Sequence, residues 1–262
     1  MPANLLCFQP AWRWRRLLSS QDRGEGHDHS RHVGPKVKLV IFDLDQTLVD
    51  FISVHDEATR ELFRKFFGVD ARLTEVDFAG RSLSDTFLEL AGLKGIPEDR
   101  VTKISRELLE NYERTFGERL PQDASNHVLP GARRLLEELS KTDNLVVLYT
   151  GGSAGIVERV LSATGLGKYF RFCVYGTEAQ TRVGMVRLAV EKAESITGKK
   201  FRGKYVVIIG DSLRDVGSGK QLNATTIAVA TGFHSEEQLS ASKPDHLFRN
   251  LKNYKKVLQA IG

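Results

Sequence analysis

Apolar residues along this chain alternate between short continuous runs and stretches of helical periodicity. The run from Val37 to Phe42 is typical of a strand that is buried on both faces of a parallel sheet. Further runs predict strands at 145–149, 170–175, 205–209 and 226–230 and near Leu247. Because helical patterns separate these runs, we expect a parallel α/β sheet that is flanked by helices and has right-handed crossovers.

A long helical segment separates the first strand from the second. Apolar residues recur at helical spacing from His55 to Phe67, and capping signals predict a second helix after Ser82. A third helix is predicted to run from Pro97 to Phe116. We therefore expect an α-helical insert at residues 51–127. The α/β core would comprise residues 36–50 and 128–262.

Residues 1–35 do not continue either pattern. The first twenty residues carry no acid and include Arg13, Arg15 and Arg16, which is compatible with an organelle-targeting peptide. A disordered extension or an upstream start is the alternative interpretation. The histidines that follow are interpreted as a solvated cluster and not as a metal site; they are His27, His29 and His32.

The composition limits the class of protein. With 262 residues, 41% hydrophobic and 27% charged, the chain is expected to be soluble and globular. No apolar run reaches the roughly 20 residues of a membrane span. The net charge of +5 is modest and its residues are scattered, which disfavours nucleic acid as a partner. Cys7 and Cys173 lack metal-ligand spacing and favour a reducing, cytoplasmic setting, with an organelle as the alternative. A monomer and a homodimer both remain open.

Two acidic pairs follow two of the predicted strands. Asp43 and Asp45 come directly after the first strand, and Asp211 and Asp215 follow the strand at 205–209. Both pairs should emerge at the same edge of the sheet, where open α/β folds bind their ligands. Because buried like charges are costly unless a cation neutralises them, this placement predicts a Mg²⁺ site.

The same residues carry a resemblance to a known family. Residues 43–47 meet the pattern DxDxT, and residues 210–215 meet GDxxxD. From about Lys36 to Gly262 the chain resembles the haloacid dehalogenase-like (HAD) superfamily of phosphohydrolases, and the helical insert resembles the cap of phosphoglycolate phosphatases. The resemblance implies a Rossmann-like α/β core with an inserted cap. It also implies a Mg²⁺-dependent phosphatase that acts on a small phosphorylated metabolite.

The resemblance implies roles for the four acids. Asp43 would attack phosphorus and form an aspartyl-phosphate, and Asp45 would protonate the leaving oxygen and then activate water. Mg²⁺ would be held by the Asp43 side chain, the Asp45 backbone carbonyl and Asp211. Asp215 would hold metal-bound water or orient the basic residue of the site.

Phosphate-binding residues are implied at two further places. Thr150 stands where the family has a phosphate-binding Ser or Thr, and Gly151 and Gly152 leave backbone N–H groups free for an anion. The family also uses a basic residue, generally Lys, but residues 175–188 contain none, and Arg182 is the best-placed cation. The alternatives are Lys199 and Lys204.

Arg81 is the candidate for contact with the leaving group. The pair Gly80-Arg81 resembles the short specificity loop of helical caps, so Arg81 could bind a carboxylate or a second anionic group. An Arg between a turn and a helix is also a common surface residue, and both interpretations remain open.

Alternative functions on the same scaffold are also considered. Dehalogenases and phosphonate hydrolases do not need the second Asp of the motif, so the presence of Asp45 argues against them. A phosphomutase of the β-phosphoglucomutase type retains this Asp and stays open. A non-catalytic interaction domain would be supported only by the Arg-rich tail and by Lys252, Lys255 and Lys256.

Overall fold

A six-stranded parallel sheet forms the centre of the protein. The computed structural model describes residues 37–179 and 181–262. The strands lie in the order β3-β2-β1-β4-β5-β6. They are β1 (Leu39–Phe42), β2 (Leu145–Thr150), β3 (Cys173–Tyr175), β4 (Val206–Gly210), β5 (Thr225–Val229) and β6 (His246–Phe248). The predicted parallel α/β sheet is confirmed, although the third strand is shorter than its apolar run.

The middle of the sheet places the two acidic motifs side by side. All four residues of β1 are buried, and β1 pairs with both β2 and β4. Phe42 is in register with Leu148 on one side and with Ile209 on the other. The Asp43 amide continues the ladder by donating to the Ile209 carbonyl at 2.9 Å. The residues that follow β1, β2 and β4 therefore meet at the carboxyl-terminal edge of the sheet, which we call the sheet edge.

Five α-helices lie between β1 and β2, and we call the first four of them the cap helices. They are α1 (Ile52–Phe67), α2 (Leu83–Leu93), α3 (Glu98–Lys103) and α4 (Ser105–Arg119). The remaining helices are α5 (Ala132–Leu139), α6 (Ala154–Thr164), α7 (Arg182–Thr197), α8 (Leu213–Gln221), α9 (Glu236–Ala241) and α10 (Tyr254–Ile261). None of the helices in the described ranges is long and apolar enough to cross a membrane.

The prediction of a single third helix was wrong. The chain leaves helical geometry at Ile104, where φ is −112° and ψ is 13°, so α3 ends and α4 begins. The break allows α3 to pack on α2 while α4 packs on α1. Val101 on α3 and Leu108 on α4 are both buried as a result. Apolar spacing alone could not reveal the break, because both helices follow the same periodicity.

The cap helices share an apolar cluster with one face of the sheet. Phe51 packs edge-on against Phe116 with ring centroids 6.2 Å apart, and both belong to the cluster that contains Phe42. The division into a core and a cap at residues 51 and 127 stays a prediction. The tail at 1–35, with its predicted targeting peptide and histidine cluster, lies outside the described residues.

Candidate active site

The sheet edge gathers three of the four predicted acids. Asp43 follows β1, Asp211 follows β4, and Asp215 lies in the first turn of α8. All three are buried, and one carboxylate oxygen of each lies within 4.8 Å of those of the other two. Asp45 stands outside this group and is partly exposed, with 34% of its side chain accessible. Residues far apart in sequence therefore form one acidic centre.

Arg182 is the cation of this centre. It is the first residue of α7, and its side chain is buried. Its Nε donates to Asp215 Oδ1 at 2.7 Å, and its Nη2 forms ion pairs with Asp43 and Asp215. Its guanidinium carbon lies 3.7 Å from the centre of the Tyr149 ring. The alternative lysines, by contrast, are exposed and follow or lie beyond Gly198, which caps the far end of α7; they are Lys199 and Lys204.

Asp215 is bound by protein donors on both of its carboxylate oxygens. Oδ1 accepts from the Tyr149 hydroxyl at 2.6 Å and from Arg182, while Oδ2 accepts from the Ser212 amide at 3.0 Å and its hydroxyl at 2.7 Å. The capping box of α8 thus fixes this carboxylate. Asp211, by comparison, accepts at Oδ1 from the Thr47 hydroxyl at 3.1 Å. Of the two, Asp211 has more free capacity to bind a metal ion.

The protein environment separates the pKa values of these carboxyl groups. Burial raises the pKa of Asp43 to about 7, Arg182 offsets part of that rise, and the neighbouring Asp215 adds to it. The pKa of Asp211 lies well above its ordinary value because of burial and the charges of Asp43 and Asp215. Burial would also raise the pKa of Asp215, but the charge of Arg182 and the hydrogen bonds from Tyr149 and Ser212 lower it below its ordinary value.

The donor set fits a divalent cation. When all three carboxylates are ionised, the single guanidinium leaves two negative charges in a buried space, which a doubly charged ion would neutralise. The ligands are oxygen atoms, as Mg²⁺ prefers. A side chain at Gly232 would place its Cβ 1.6 Å from Asp211 Oδ2, so glycine keeps the space beside that oxygen open. The predicted Mg²⁺ site is therefore chemically consistent with Asp43 and Asp211.

Thr150 and the glycines after β2 border the same centre. The Thr150 side chain is buried and its hydroxyl accepts from the Gly152 amide at 3.1 Å. A Cβ on Gly151 would lie 1.7 Å from the Arg81 carbonyl oxygen, so only glycine allows the cap to approach this loop. The Leu83 amide also donates to the Gly151 carbonyl at 3.2 Å. The structure thus brings Thr150, Gly151 and Arg81 together.

Two residues of the site were missed by sequence reasoning. His55 of α1 is buried, with Nε2 3.3 Å from Asp45 Oδ1 and Nδ1 2.8 Å from the Tyr112 hydroxyl. It figured in the sequence analysis only as the start of a helix, and no local pattern marks it. Tyr149, which bonds Asp215, was treated only as the end of a strand. Its position beside Thr150 was the one available signal.

A cavity of about 70 Å³, measured as the space open to the centre of a water molecule, lies between the sheet edge and the cap helices. On the sheet side it is lined by seven of the predicted residues, namely Asp43, Asp45, Thr150, Gly151, Gly152, Arg182 and Asp211. The cap side is largely apolar, with Ile52, Leu73, Phe78, Ala79 and Leu83. The cap also contributes the polar side chains of His55, Arg81, Thr86 and Tyr112. The reactive groups thus face a small cavity whose cap side is mostly hydrophobic.

A comparison with protein families decides the assignment. Residues 40–229 match the family model of haloacid dehalogenase-like hydrolases, which is well over half of the chain. The chain is a haloacid dehalogenase-like hydrolase. The family predicted from the two acidic motifs is confirmed.

Two curated relatives of this HAD hydrolase match along nearly their whole length. A phosphoglycolate phosphatase from Synechococcus elongatus is 28% identical over 227 residues, which cover 86% of this chain and 97% of the relative. A phosphoglycolate phosphatase from Vibrio parahaemolyticus is 25% identical over 238 residues, covering 85% of this chain and 96% of the relative. The similarity therefore includes the cap helices as well as the sheet.

Solved structures share the fold of this HAD hydrolase. A β-phosphoglucomutase from Clostridium difficile superposes with a TM-score of 0.67 at 17% identity, covering 86% of this chain and 97% of the other. A hydrolase from Pseudomonas syringae gives a TM-score of 0.67 at 20% identity, covering 86% of this chain and 99% of the other. At this level of identity the likeness establishes the fold, with a sheet and helices arranged as described above.

Proposed function

We propose that this HAD hydrolase is a Mg²⁺-dependent phosphatase that hydrolyses a small phosphorylated metabolite through an aspartyl-phosphate intermediate. The observation that carries the proposal is the buried contact between the Asp43 carboxylate and Arg182, which faces the cavity together with Asp45 and Thr150. The relatives named phosphoglycolate phosphatase support the same chemistry. The small volume of the cavity supports a small substrate.

Asp43 and Asp45 divide the reaction between them. A carboxylate oxygen of Asp43 attacks phosphorus while the bond to the leaving oxygen breaks, and Asp45 gives that oxygen its proton. Water then attacks the phosphorus of the aspartyl-phosphate and loses a proton to Asp45, which frees Asp43 and inorganic phosphate. Asp45 is suited to exchange protons because it is partly exposed, and the contact with His55 holds its carboxylate in place.

The phosphoryl group needs donors for its oxygens, because its charge spreads over them in the transition state. Among residues 37–179 and 181–262, no hydrogen-bond partner reaches the buried Nη1 of Arg182, so this N–H group can bind a phosphate oxygen. The Thr150 hydroxyl and the backbone N–H groups of Gly151 and Gly152 border the same cavity. These donors are fixed in place before the substrate binds.

Asp43, the backbone carbonyl of Asp45 and Asp211 would hold the Mg²⁺ ion. When bound, the ion offsets the negative charge of the carboxylates and of the phosphoryl oxygens. Asp215 has both oxygens engaged by protein donors, so its part in the proposal is to hold Arg182 against Asp43. Its lowered pKa keeps it ionised for this purpose.

The test is hydrolysis of an aryl phosphate by Asp43→Asn in the presence of Mg²⁺. The amide keeps the shape of the side chain but cannot act as the nucleophile, so we expect turnover to fall by at least about 10³-fold. Asp99→Asn is the matched control, since Asp99 is an exposed acid of the cap helices and should not affect turnover. Retained turnover in Asp43→Asn, or full activity in a chelator, would contradict the proposal.

A phosphomutase remains the second candidate. It is favoured by the presence of Asp45 in contact with His55, because phosphoryl transfer to a sugar hydroxyl needs the same acid and base. Free phosphate released from a sugar phosphate would support the phosphatase, whereas isomerisation of the sugar phosphate would support the mutase. An interaction domain was supported by the Arg-rich tail, which lies outside the described residues, and by three lysines that are exposed on or next to α10; they are Lys252, Lys255 and Lys256.

A further inference from the structure

Arg81 is the cap side chain that could bind an anionic leaving group. It precedes α2, its backbone touches the loop at Gly151, and its side chain lines the cavity together with Asp43. The other guanidinium in the cavity belongs to Arg182, whose charge is already engaged by Asp43 and Asp215. The leaving group would extend from phosphorus toward the cap helices. Whether the enzyme favours a charged or an uncharged leaving group therefore depends on whether Arg81 is already paired with an acid.

Glu89 of α2 already occupies the guanidinium of Arg81. The two side chains form an ion pair through Arg81 Nη1, with 29% of the Arg81 side chain and 37% of the Glu89 side chain exposed. Glu89 borders the opening on the outer side of Arg81, next to Asp85 and Glu98, and is not among the residues that line the inner cavity. The acid therefore neutralises the arginine from outside without filling the substrate chamber.

The other cap groups that line the cavity offer an anion little compensation. The Thr86 hydroxyl donates to the Ser82 carbonyl at 2.9 Å, and the Tyr112 hydroxyl is paired with His55. The remaining cap residues there are mostly apolar. A carboxylate placed against them would lose its hydration without gaining an unpaired cation, which is costly.

Arg81 nevertheless keeps one group for an uncharged partner. Its Nε is buried and has no hydrogen-bond partner within the described residues. A hydroxyl or carbonyl oxygen could accept from this N–H group while Glu89 holds the Nη1 side of the guanidinium. The pair thus presents a hydrogen-bond donor whose charge is largely cancelled.

We propose that Glu89 is a specificity-determining residue that neutralises Arg81, so that the enzyme prefers phosphomonoesters with a small uncharged, oxygen-bearing leaving group over those with a carboxylate. This inference rests on the proposed phosphatase function and deepens it. It also gives a charge-based reason to distinguish this enzyme from a phosphatase whose leaving group is glycolate.

Two substrates of nearly equal size isolate the charge of the leaving group. They are 2-hydroxyethyl phosphate and 2-phosphoglycolate, which differ by a hydroxymethyl group in place of a carboxylate. We expect the wild-type protein to have the higher kcat/KM for 2-hydroxyethyl phosphate. In Glu89→Gln the ratio of kcat/KM for 2-phosphoglycolate to kcat/KM for 2-hydroxyethyl phosphate should rise by about three- to tenfold, because the Arg81 guanidinium is then free to pair with the substrate carboxylate.

Arg81 gives the decisive double-mutant cycle. Arg81→Met alone should shift the ratio of kcat/KM values further toward 2-hydroxyethyl phosphate, because it leaves the charge of Glu89 without a partner, whereas Arg81→Met combined with Glu89→Gln should erase the gain of Glu89→Gln. Glu110→Gln is the matched control, since Glu110 pairs with Arg106 on an exposed face of α4. The ratio of the two kcat/KM values in Glu110→Gln should equal that of the wild-type protein.

Binding measurements separate this inference from the proposed function. In the Asp43→Asn background with Mg²⁺, calorimetry should show 2-phosphoglycolate binding about three- to tenfold more tightly after Glu89→Gln. An unchanged ratio and unchanged binding in Glu89→Gln, or a gain for 2-phosphoglycolate in Glu89→Gln that persists when Arg81 is also replaced by Met, would overturn the inference while leaving the phosphatase intact. Failure of the wild-type protein to hydrolyse these substrates and an aryl phosphate would overturn both.

Discussion

The ion pairs on the two sides of the cavity differ in how far they are buried. At the sheet edge, Arg182 and Asp215 have only 4% and 2% of their side chains exposed and are bound directly to each other. On the opposite side, the cap loop (residues 77–82) forms ion pairs that are roughly one-third exposed, between Arg214 and Asp77 and between Arg81 and Glu89. Buried pairs act at low dielectric and tolerate no loss of a partner, whereas partly exposed pairs are weak and screened.

This difference matches the division of tasks in the proposed reaction. Chemistry at phosphorus needs groups that are held rigidly before the substrate arrives, and β1, β2 and β4 supply such positions. Contact with the leaving group needs a surface that can open and can vary. The cap loop meets the core through Arg214, whose Nη1 donates to Asp77 at 2.8 Å and to the Ala79 carbonyl at 2.7 Å.

The largest effect should follow from removing the cation of the sheet edge. Arg182→Met leaves Asp43 and Asp215 buried without a counter-charge, so we expect a loss of about 3–5 kcal/mol in the free energy of unfolding. Turnover of an aryl phosphate should fall by at least about 100-fold. Denaturant unfolding and steady-state kinetics measure the two effects.

The control for this change is Arg187→Met, which removes an exposed arginine from the same helix and should alter neither quantity. Arg182→Lys should recover part of the stability, since it restores the charge but not the paired contacts of the guanidinium. If Arg182→Met were as stable as the wild-type protein, the buried ion pairs would not have the importance assigned to them.

A second prediction concerns metal and pH. In the metal-free protein the pKa of Asp43 is about 7 and that of Asp211 is also raised, so the folded state holds these protons more tightly than the unfolded chain. The contribution of Asp43 to stability is complete below the ordinary carboxyl pKa and is lost as pH rises through about 7. The contribution of Asp211 is likewise lost only at a pH well above its ordinary pKa. Mg²⁺ needs the ionised carboxylates, so its stabilisation should grow with pH. Thermal unfolding should show an increase of about 3–8 °C with saturating Mg²⁺ at pH 8, and less than about 1 °C at pH 5.

Asp211→Asn is the variant that tests this prediction, because it removes a ligand and one of the two raised pKa values. Its unfolding temperature should respond little to Mg²⁺ at pH 8, while the exposed-acid control Asp99→Asn should respond like the wild-type protein. An equal response to Mg²⁺ at pH 5 and pH 8 would contradict the assignment of the raised pKa values to the metal site.

The same contrast explains how far the sequence could predict the site. Asp43, Thr150 and Asp211 follow apolar strands, and parallel strands bring their carboxyl ends to one edge, so their meeting could be inferred. Arg182 was found because the family has a basic residue in this region and residues 175–188 contain no lysine. His55 could not be found in this way, because its contact with Asp45 depends on how α1 packs over the sheet edge.

The pair of Arg81 and Glu89 was also beyond prediction. Arg81 was recognised in the specificity loop, but its neutralisation depends on the direction in which the loop enters α2. The break at Ile104 is a further example, since it arises from the packing of α3 and α4 on different partners. The positions of the strands follow from local patterns, whereas contacts between helices depend on geometry that periodicity does not encode.

The smallest effect should follow from loosening the cap loop. Arg214→Met removes the contacts with Asp77 and Ala79, and because the Arg214–Asp77 pair is about one-third exposed the free energy of unfolding should change by no more than about 1 kcal/mol. The loop should open more often, which raises KM for an aryl phosphate by about two- to fivefold and increases amide hydrogen exchange at residues 77–82. High salt should raise the wild-type KM toward that of the variant.

The control is Arg249→Met, which breaks an exposed pair with Glu236 and should leave KM and amide exchange in the cap loop unchanged. If Arg214→Met left both unchanged as well, the loop would be held by its apolar contact between Phe78 and Phe233, and the partly exposed charges would have no part in closing the cavity.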